Sequence, residues 1–328
     1  MNYSLLIAAV LFSISSAAQD CSKESLRNKP GTWKAGPPAS ANNITPADLA
    51  KEKAVVASIH SMITANYKPT GCEIAYSKVF GKASVPGQNW VADPYQLGMY
   101  VLRYLCDQRS TDKSKYYVDT ATPTTVYISA NVVYWLNTLY AFELPADDSR
   151  GYLKLKQRPQ QKEGVWFMGE EIVGDDGTPT EIMEYRWLIT YNDTLPFNYV
   201  SRKDYLLIQK KKLEQSIQEN PGEKEYTGKF LNNVNEFLKR PETELAPPAI
   251  CRWNDEERFE GFVEEGSPNS FIAVKPNLGY FHKKLPKSSP QFFTVVYKVS
   301  KGDAVFADNY EGIKKAIDFS KLKGMLGK

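Results

Sequence analysis

An α+β fold is predicted, with antiparallel sheet meanders packed against a long N-terminal helix and a later helical hairpin. Three observations predict it. Apolar residues recur at helical spacing between Thr45 and Asn66, a period of two runs through Cys72–Tyr76 and Phe293–Val299, and two amphipathic stretches follow Ser201.

The first helix begins with a full set of start signals. Thr45 can cap, Pro46 suits the first helical position and Asp48 lies three residues after the cap. Leu49, Val56, Ile59 and Ile63 form its apolar stripe, and Pro69 and Gly71 end it. His60 lies beside this stripe and reads as a partly buried structural histidine. Strands follow. Cys72, Ile74 and Tyr76 alternate with polar or small residues, Tyr95–Cys106 is apolar on both faces, and Thr124–Val133 is rich in β-branched residues. Gly164–Val173 and Thr180–Tyr191 flank Asp175-Asp176-Gly177, a hairpin signal. On the second of these strands Met183, Tyr185, Trp187, Ile189 and Tyr191 share one face, with Glu184, Arg186 and Thr190 on the other. Ser201 and Asp204 open a helix to Glu219. Tyr226, Phe230, Val234 and Phe237 mark its partner, which Pro241 ends. Strand and then helix return from Phe293 to Leu326.

This divides the chain into a signal peptide (1–18), an extended arm rich in Pro and Gly (19–45), a helix-plus-sheet domain (46–145) and a second domain (150–328). The last two are alternatively one domain. The turn-prone Pro145–Gly151 stretch marks the boundary between them.

Charge and composition exclude several classes of function. The chain has 328 residues, with 41 Lys plus Arg against 38 Asp plus Glu and 42% apolar residues, so it folds and carries no basic footprint for nucleic acid. Leu5–Ile14 is an apolar run before small residues at Ser16 and Ala18, the pattern of a secretory leader cut before Gln19. Asp20 before Cys21 argues against a lipoprotein, and no later stretch reads as a transmembrane helix. Secreted or periplasmic residence follows. In such a compartment the four cysteines imply two disulfides; three connectivities are open, and the first choice pairs Cys72 with Cys106 across neighbouring strands and Cys21 with Cys251.

Motif chemistry is sparse. Two histidines and no H-E-x-x-H sequence leave no metal site, and no glycine-rich phosphate cradle or G-x-S-x-G elbow occurs, so no metal and no cofactor are expected. Ser110-Thr111-Asp112-Lys113 matches S-x-x-K without its companion motifs and reads as a polar loop. Asn43-Ile44-Thr45 and Asn192-Asp193-Thr194 match the glycan-acceptor pattern.

Paired carboxylates need no signature beyond their separation. Glu170 and Glu184, on the two hairpin strands, are the catalytic nominees, weighed against a solvated strand face balanced by Arg186. Tyr185, Trp187 and Tyr191 are the nominees for binding a sugar or peptide, weighed against a core surface. Three functions result. The preferred one is a noncatalytic protein binding an extracellular or envelope ligand (a glycan, peptide or protein). The others are a carboxylate-dependent hydrolase of polysaccharide or peptidoglycan, and a structural subunit docking through Ser22–Asn43.

Overall fold

The computed structural model describes residues 21–37, 40–41, 44–81, 92–131, 133–134, 141–142, 152–175, 181–253 and 258–328. The Met1–Ala18 leader, Asn43, the Pro145–Gly151 boundary and the Asp176-Gly177 turn lie outside them. The described chain is mixed α+β. Its helices are α1 (Lys23–Arg27), α2 (Pro46–Asn66), α3 (Arg202–Glu219), α4 (Lys224–Leu238), α5 (Glu242–Leu245), α6 (Ala304–Ala316) and α7 (Phe319–Met325). Among the described residues the first helix is therefore a short one of five residues, opened by a reciprocal Ser22–Ser25 capping box, and the long helix comes second. Thr45 caps α2 by accepting the Asp48 amide.

The large sheet takes β1 (Thr32–Ala35), β2 (Ser40–Ala41), β3 (Cys72–Phe80), β4 (Tyr95–Cys106), β5 (Tyr116–Val118), β6 (Thr125–Ala130), β10 (Gln160–Lys162), β11 (Val165–Asp175), β12 (Glu181–Ile189) and β16 (Phe293–Ser300). Its order is β1-β3-β4-β6-β16-β12-β11-β10, with β2 beside β3 and β5 beside β4. Strands from both halves of the chain share this one sheet. The stretch expected to be an extended arm carries α1 and β1, and β1 pairs parallel to β3 of its own chain. A second sheet holds β9 (Leu153–Leu155), β13 (Phe197–Tyr199), β14 (Ile250–Arg252) and β15 (Ser270–Pro276), and a small ribbon pairs β7 (Val133–Tyr134) with β8 (Ala141–Phe142).

Alternation along these strands builds four layers. One face of the large sheet (Ile74, Leu97, Met99, Val126, Ile128, Val295, Tyr297) packs under α2, α6 and α7. Toward β11 and β12 its other face offers Leu188 and Met168, which meet Ile250, Ile272 and Val274 of the second sheet. The far face of that second sheet, with Phe271, Ala273 and Cys251, is covered by Leu206 of α3 and Val234 of α4. The α3–α4 hairpin thus lies on a sheet, and each of the two sheets buries apolar residues on both of its faces. His60 packs between Trp33 and Tyr76, 5.7 and 4.3 Å between ring centroids.

The cysteine pairing differs from expectation. Cys21 is bridged to Cys106, their Cα atoms 5.6 Å apart, while Cys72 and Cys251 are free and buried. The register explains this. Cys72 lies opposite Arg103, so Cys106 is three residues further along β4, about 10 Å away and beyond disulfide reach. Cys251 belongs to a different cluster, against α3 and α4. The Cys21 amide donates to the Lys113 carbonyl beyond the end of β4, which brings Cys21 to Cys106.

Beside Cys72 a buried asparagine ties α6 to the α2–β3 connection. Asn309 Oδ1 accepts from the Tyr67 hydroxyl, the Thr70 amide at 3.3 Å and the Cys72 thiol at 3.1 Å. Its Nδ2 donates to the Thr70 and Val305 carbonyls at 2.8 and 2.7 Å. Gly312 leaves room for the Tyr67 ring, and a Cβ there would lie inside that ring's van der Waals envelope. Asn309→Ala strands these partners in the core and should lower the unfolding free energy by about 2–3 kcal/mol, measured by urea denaturation. An unchanged midpoint would show that the hub is not needed.

Candidate ligand-binding site

The β11–β12 hairpin carries most of the nominated residues, and its register decides which of them meet. Glu170 lies opposite Tyr185, Glu171 opposite Glu184, Gly169 opposite Arg186 and Trp166 opposite Leu188. Side chains of directly opposed residues share a face. Glu170 therefore stands on the helix-covered side beside Tyr185, and Glu184 stands on the other. The sheet separates these two carboxylates, and the acid opposite Glu184 is Glu171.

Irregularities in β11 set this parity. The register shifts between Phe167 and Gly169 and again between Ile172 and Gly174, each a bulge that turns the following residues over. Gly169 has a φ of +125°, and a Cβ on it would meet the Gln157 side chain at 2.8 Å. The backbone conformation is what calls for glycine, since the Gln157 side chain can move aside.

On the face toward the second sheet the charges form a chain. Arg186 is only 4% exposed along its side chain and pairs closely with Glu184 through Nη2. Its Nη1 lies 3.9 Å from Glu171 Oε2, and Lys156 Nζ donates to the other Glu171 oxygen at 2.6 Å. Burial raises the Glu184 pKa above its usual range, against the pull of Arg186 and Lys298. Burial lowers that of Arg186, against the pull of Glu184 and Glu171. Desolvation thus opposes both charged forms of the pair.

These groups are incompletely satisfied. Glu171 Oε2, Arg186 Nε and Nη1, Trp166 Nε1 and Thr190 Oγ1 are buried without a hydrogen-bond partner. They are five of the twelve such atoms among the described residues, and all belong to one face of one hairpin. Trp166 packs with Leu188 in the cluster facing the second sheet, and Thr190 continues the alternation of Arg186 and Leu188 just past the end of β12.

The aromatic nominees disperse. Tyr185 stacks on Tyr310 of α6, 6.1 Å between centroids, and Trp187 packs on Phe167 and on Phe319 of α7, so both belong to the helix-covered core. Tyr191 does not share their face. β12 ends at Ile189 and Tyr191 opens a short 3-10 turn with Asn192 at φ 44° and Asp193 at φ 55°; the Tyr191 ring lies 5.6 and 5.0 Å from those of Tyr280 and His282. Burial pushes the Cys72 and Cys251 thiols up to about 12, which keeps them protonated and poorly nucleophilic. Among the described residues no cluster of three His, Cys, Asp or Glu could hold a metal ion, and no helix is long and apolar enough to cross a membrane.

Alternation puts Thr190 with Glu184 and Arg186, but it does not choose between Glu170 and Glu171 as the acid opposite Glu184 and does not select Trp166 or Lys156. Two glycines inside one strand, Gly169 and Gly174, are the signal of a bulge that moves the acid from one face to the other. No protein-family model, curated protein or solved structure matches the chain.

Proposed function

We propose that the protein is an exported, noncatalytic binding protein whose ligand is a hydroxyl-rich molecule of the glycan class, held on the β11–β12 face. The observation that carries this reading is the cluster of unmatched donors and acceptors there. Three N–H groups, one carboxylate oxygen and one hydroxyl make no hydrogen bond, and the Arg186 Nη1–Glu171 Oε2 ion pair among them, at 3.9 Å, is too long to be one. A sugar hydroxyl donates and accepts at once, so vicinal hydroxyls suit such a mixture better than a purely anionic or purely cationic group. Each unmet group costs about 1–3 kcal/mol, which a fitting ligand recovers. The Arg186 clamp supports the noncatalytic half of the proposal, because it engages Glu184 and approaches Glu171 instead of leaving an acid and a base free. Export rests on the leader pattern of Met1–Ala18, and the Cys21–Cys106 bridge is compatible with an oxidising compartment.

A glycan array on the mature chain, followed by calorimetry, tests the reading. Trp166→Phe keeps an aromatic ring and removes the indole N–H, so binding of the selected glycan should weaken about tenfold in protein shown by denaturation to remain folded. An array without a hit, on protein shown to be folded, would remove the proposal. A second reading has one observation in its favour: Glu171 faces Glu184, whose acid form burial favours, as in an acid–carboxylate pair. Release of sugar by the wild type, lost in Glu184→Gln with binding retained, would make the protein a hydrolase.

A further inference from the structure

A second buried acid stands apart from the hairpin. Glu52, in the first half of α2, is fully buried. Its Oε2 accepts the Gly81 amide at 2.8 Å, and its Oε1 has no partner. Gly81 follows the last residue of β3 and Tyr95 is the first residue of β4, so the carboxyl sits where α2 meets the ends of both strands. The Tyr95 hydroxyl is also buried without a partner.

The charged neighbours of Glu52 do not favour its ionised form. From its own helix comes Asp48, engaged with Ser288 and Thr45. From the segment before β4 comes Asp93, itself pushed up by burial, and from β4 comes Tyr95. The nearby cations act on other acids, Lys51 on Asp48 and Lys287 on Asp93. Among the described residues no ion pair reaches Glu52. Among the described residues an ionised carboxylate here would have one donor, no counter-ion and two acids in range, so a neutral carboxyl is the form that fits.

We propose that Glu52 is a proton-held latch: its neutral carboxyl fastens α2 to the β3 and β4 ends, and loss of the proton in mildly alkaline solution loosens that corner of the sheet. Burial pushes its pKa up from 4.5 to about 8, against the pull of the Gly81 amide, which favours the carboxylate, and with smaller help from the Asp93 and Asp48 charges. The direction of the effect follows from linkage. Between these two values the folded chain holds a proton that the unfolded chain has released. The latch's contribution is therefore complete below the lower value and declines as pH rises toward the upper one, by up to about tenfold in the folding equilibrium per pH unit.

Hydrogen exchange of the Gly81 amide between pH 6 and 9.5, corrected for the intrinsic rate, reads the latch directly. Amides of β11, four strands from β4 in the order of the large sheet, serve as internal controls. In the wild type, Gly81 protection should fall with pH far more steeply than theirs. In Glu52→Gln, which can still accept from Gly81, the excess fall should disappear. Any slope that persists in the variant belongs to Asp93. Infrared spectroscopy of the wild type supplies an independent reading, because a protonated carboxyl absorbing at pH 7 and lost by pH 9.5 is required even if the variant does not fold. Identical pH profiles for wild type and variant, or no protonated carboxyl at pH 7, would overturn the proposal.

Discussion

Replacing Cys21 and Cys106 together with serine should lower the unfolding free energy by about 4–5 kcal/mol, the loop-closure value for a bridge spanning 85 residues. The effect is large because the closed loop contains α1, α2 and β1 to β4, so the unfolded chain gains much freedom when it opens. Other ties on the N-terminal segment are weaker. The Arg27–Asp308 ion pair at 2.6 Å is about half exposed, and such pairs contribute little. Denaturation of the double variant against the wild type measures the difference. Peptide mapping without reductant should yield a Cys21–Cys106 fragment, with Cys72 and Cys251 alkylated only after unfolding. Recovery of a Cys72–Cys106 fragment would contradict the structure.

Arg186→Met should cost about 3–5 kcal/mol, since removing one partner leaves buried carboxylates without their counter-charge. Burial already favours the acid form of Glu184, and Arg186 opposes it. Without Arg186 the folded state would hold that proton to higher pH, so the defect should be greatest at neutral pH and ease as pH falls toward 4.5. Adding Glu171→Leu and Glu184→Leu should restore much of the loss, because a well-packed apolar replacement avoids desolvating ions altogether. Chemical denaturation at two pH values separates these outcomes. A small, pH-independent loss in the single variant would show that the pair is better solvated than its 4% and 15% side-chain exposures indicate.

What the sequence disclosed follows the range of the interactions involved. The α2 and α3 starts were legible because Thr45 with Asp48 and Ser201 with Asp204 act within four residues. The Tyr95–Cys106 strand and the α3–α4 hairpin were legible from local periodicity. The neighbours of each strand were not. Nothing local to Thr32–Ala35 announces a parallel partner in β3, and nothing local to Phe293–Ser300 announces a place between β6 and β12. The site was half legible for the same reason. Glu184, Arg186 and Thr190 were placed on one face of their strand, whereas pairing Glu184 with the right acid needed the bulges in β11. Tyr191 left the expected face because β12 ends at Ile189 and Tyr191 opens a short 3-10 turn, a boundary that alternation carried through to Tyr191 does not mark.

The position of β16 governs how this molecule can come into being. Until Phe293–Ser300 has left the ribosome, β6 and β12 are raw borders of two incomplete halves, each offering open amide and carbonyl groups. A nascent chain threaded outward from its N-terminus therefore spends most of its synthesis unable to close, which favours custody by a holding chaperone until the final keystone arrives. Truncation anywhere before Phe293 should consequently yield clumped material rather than a smaller working protein.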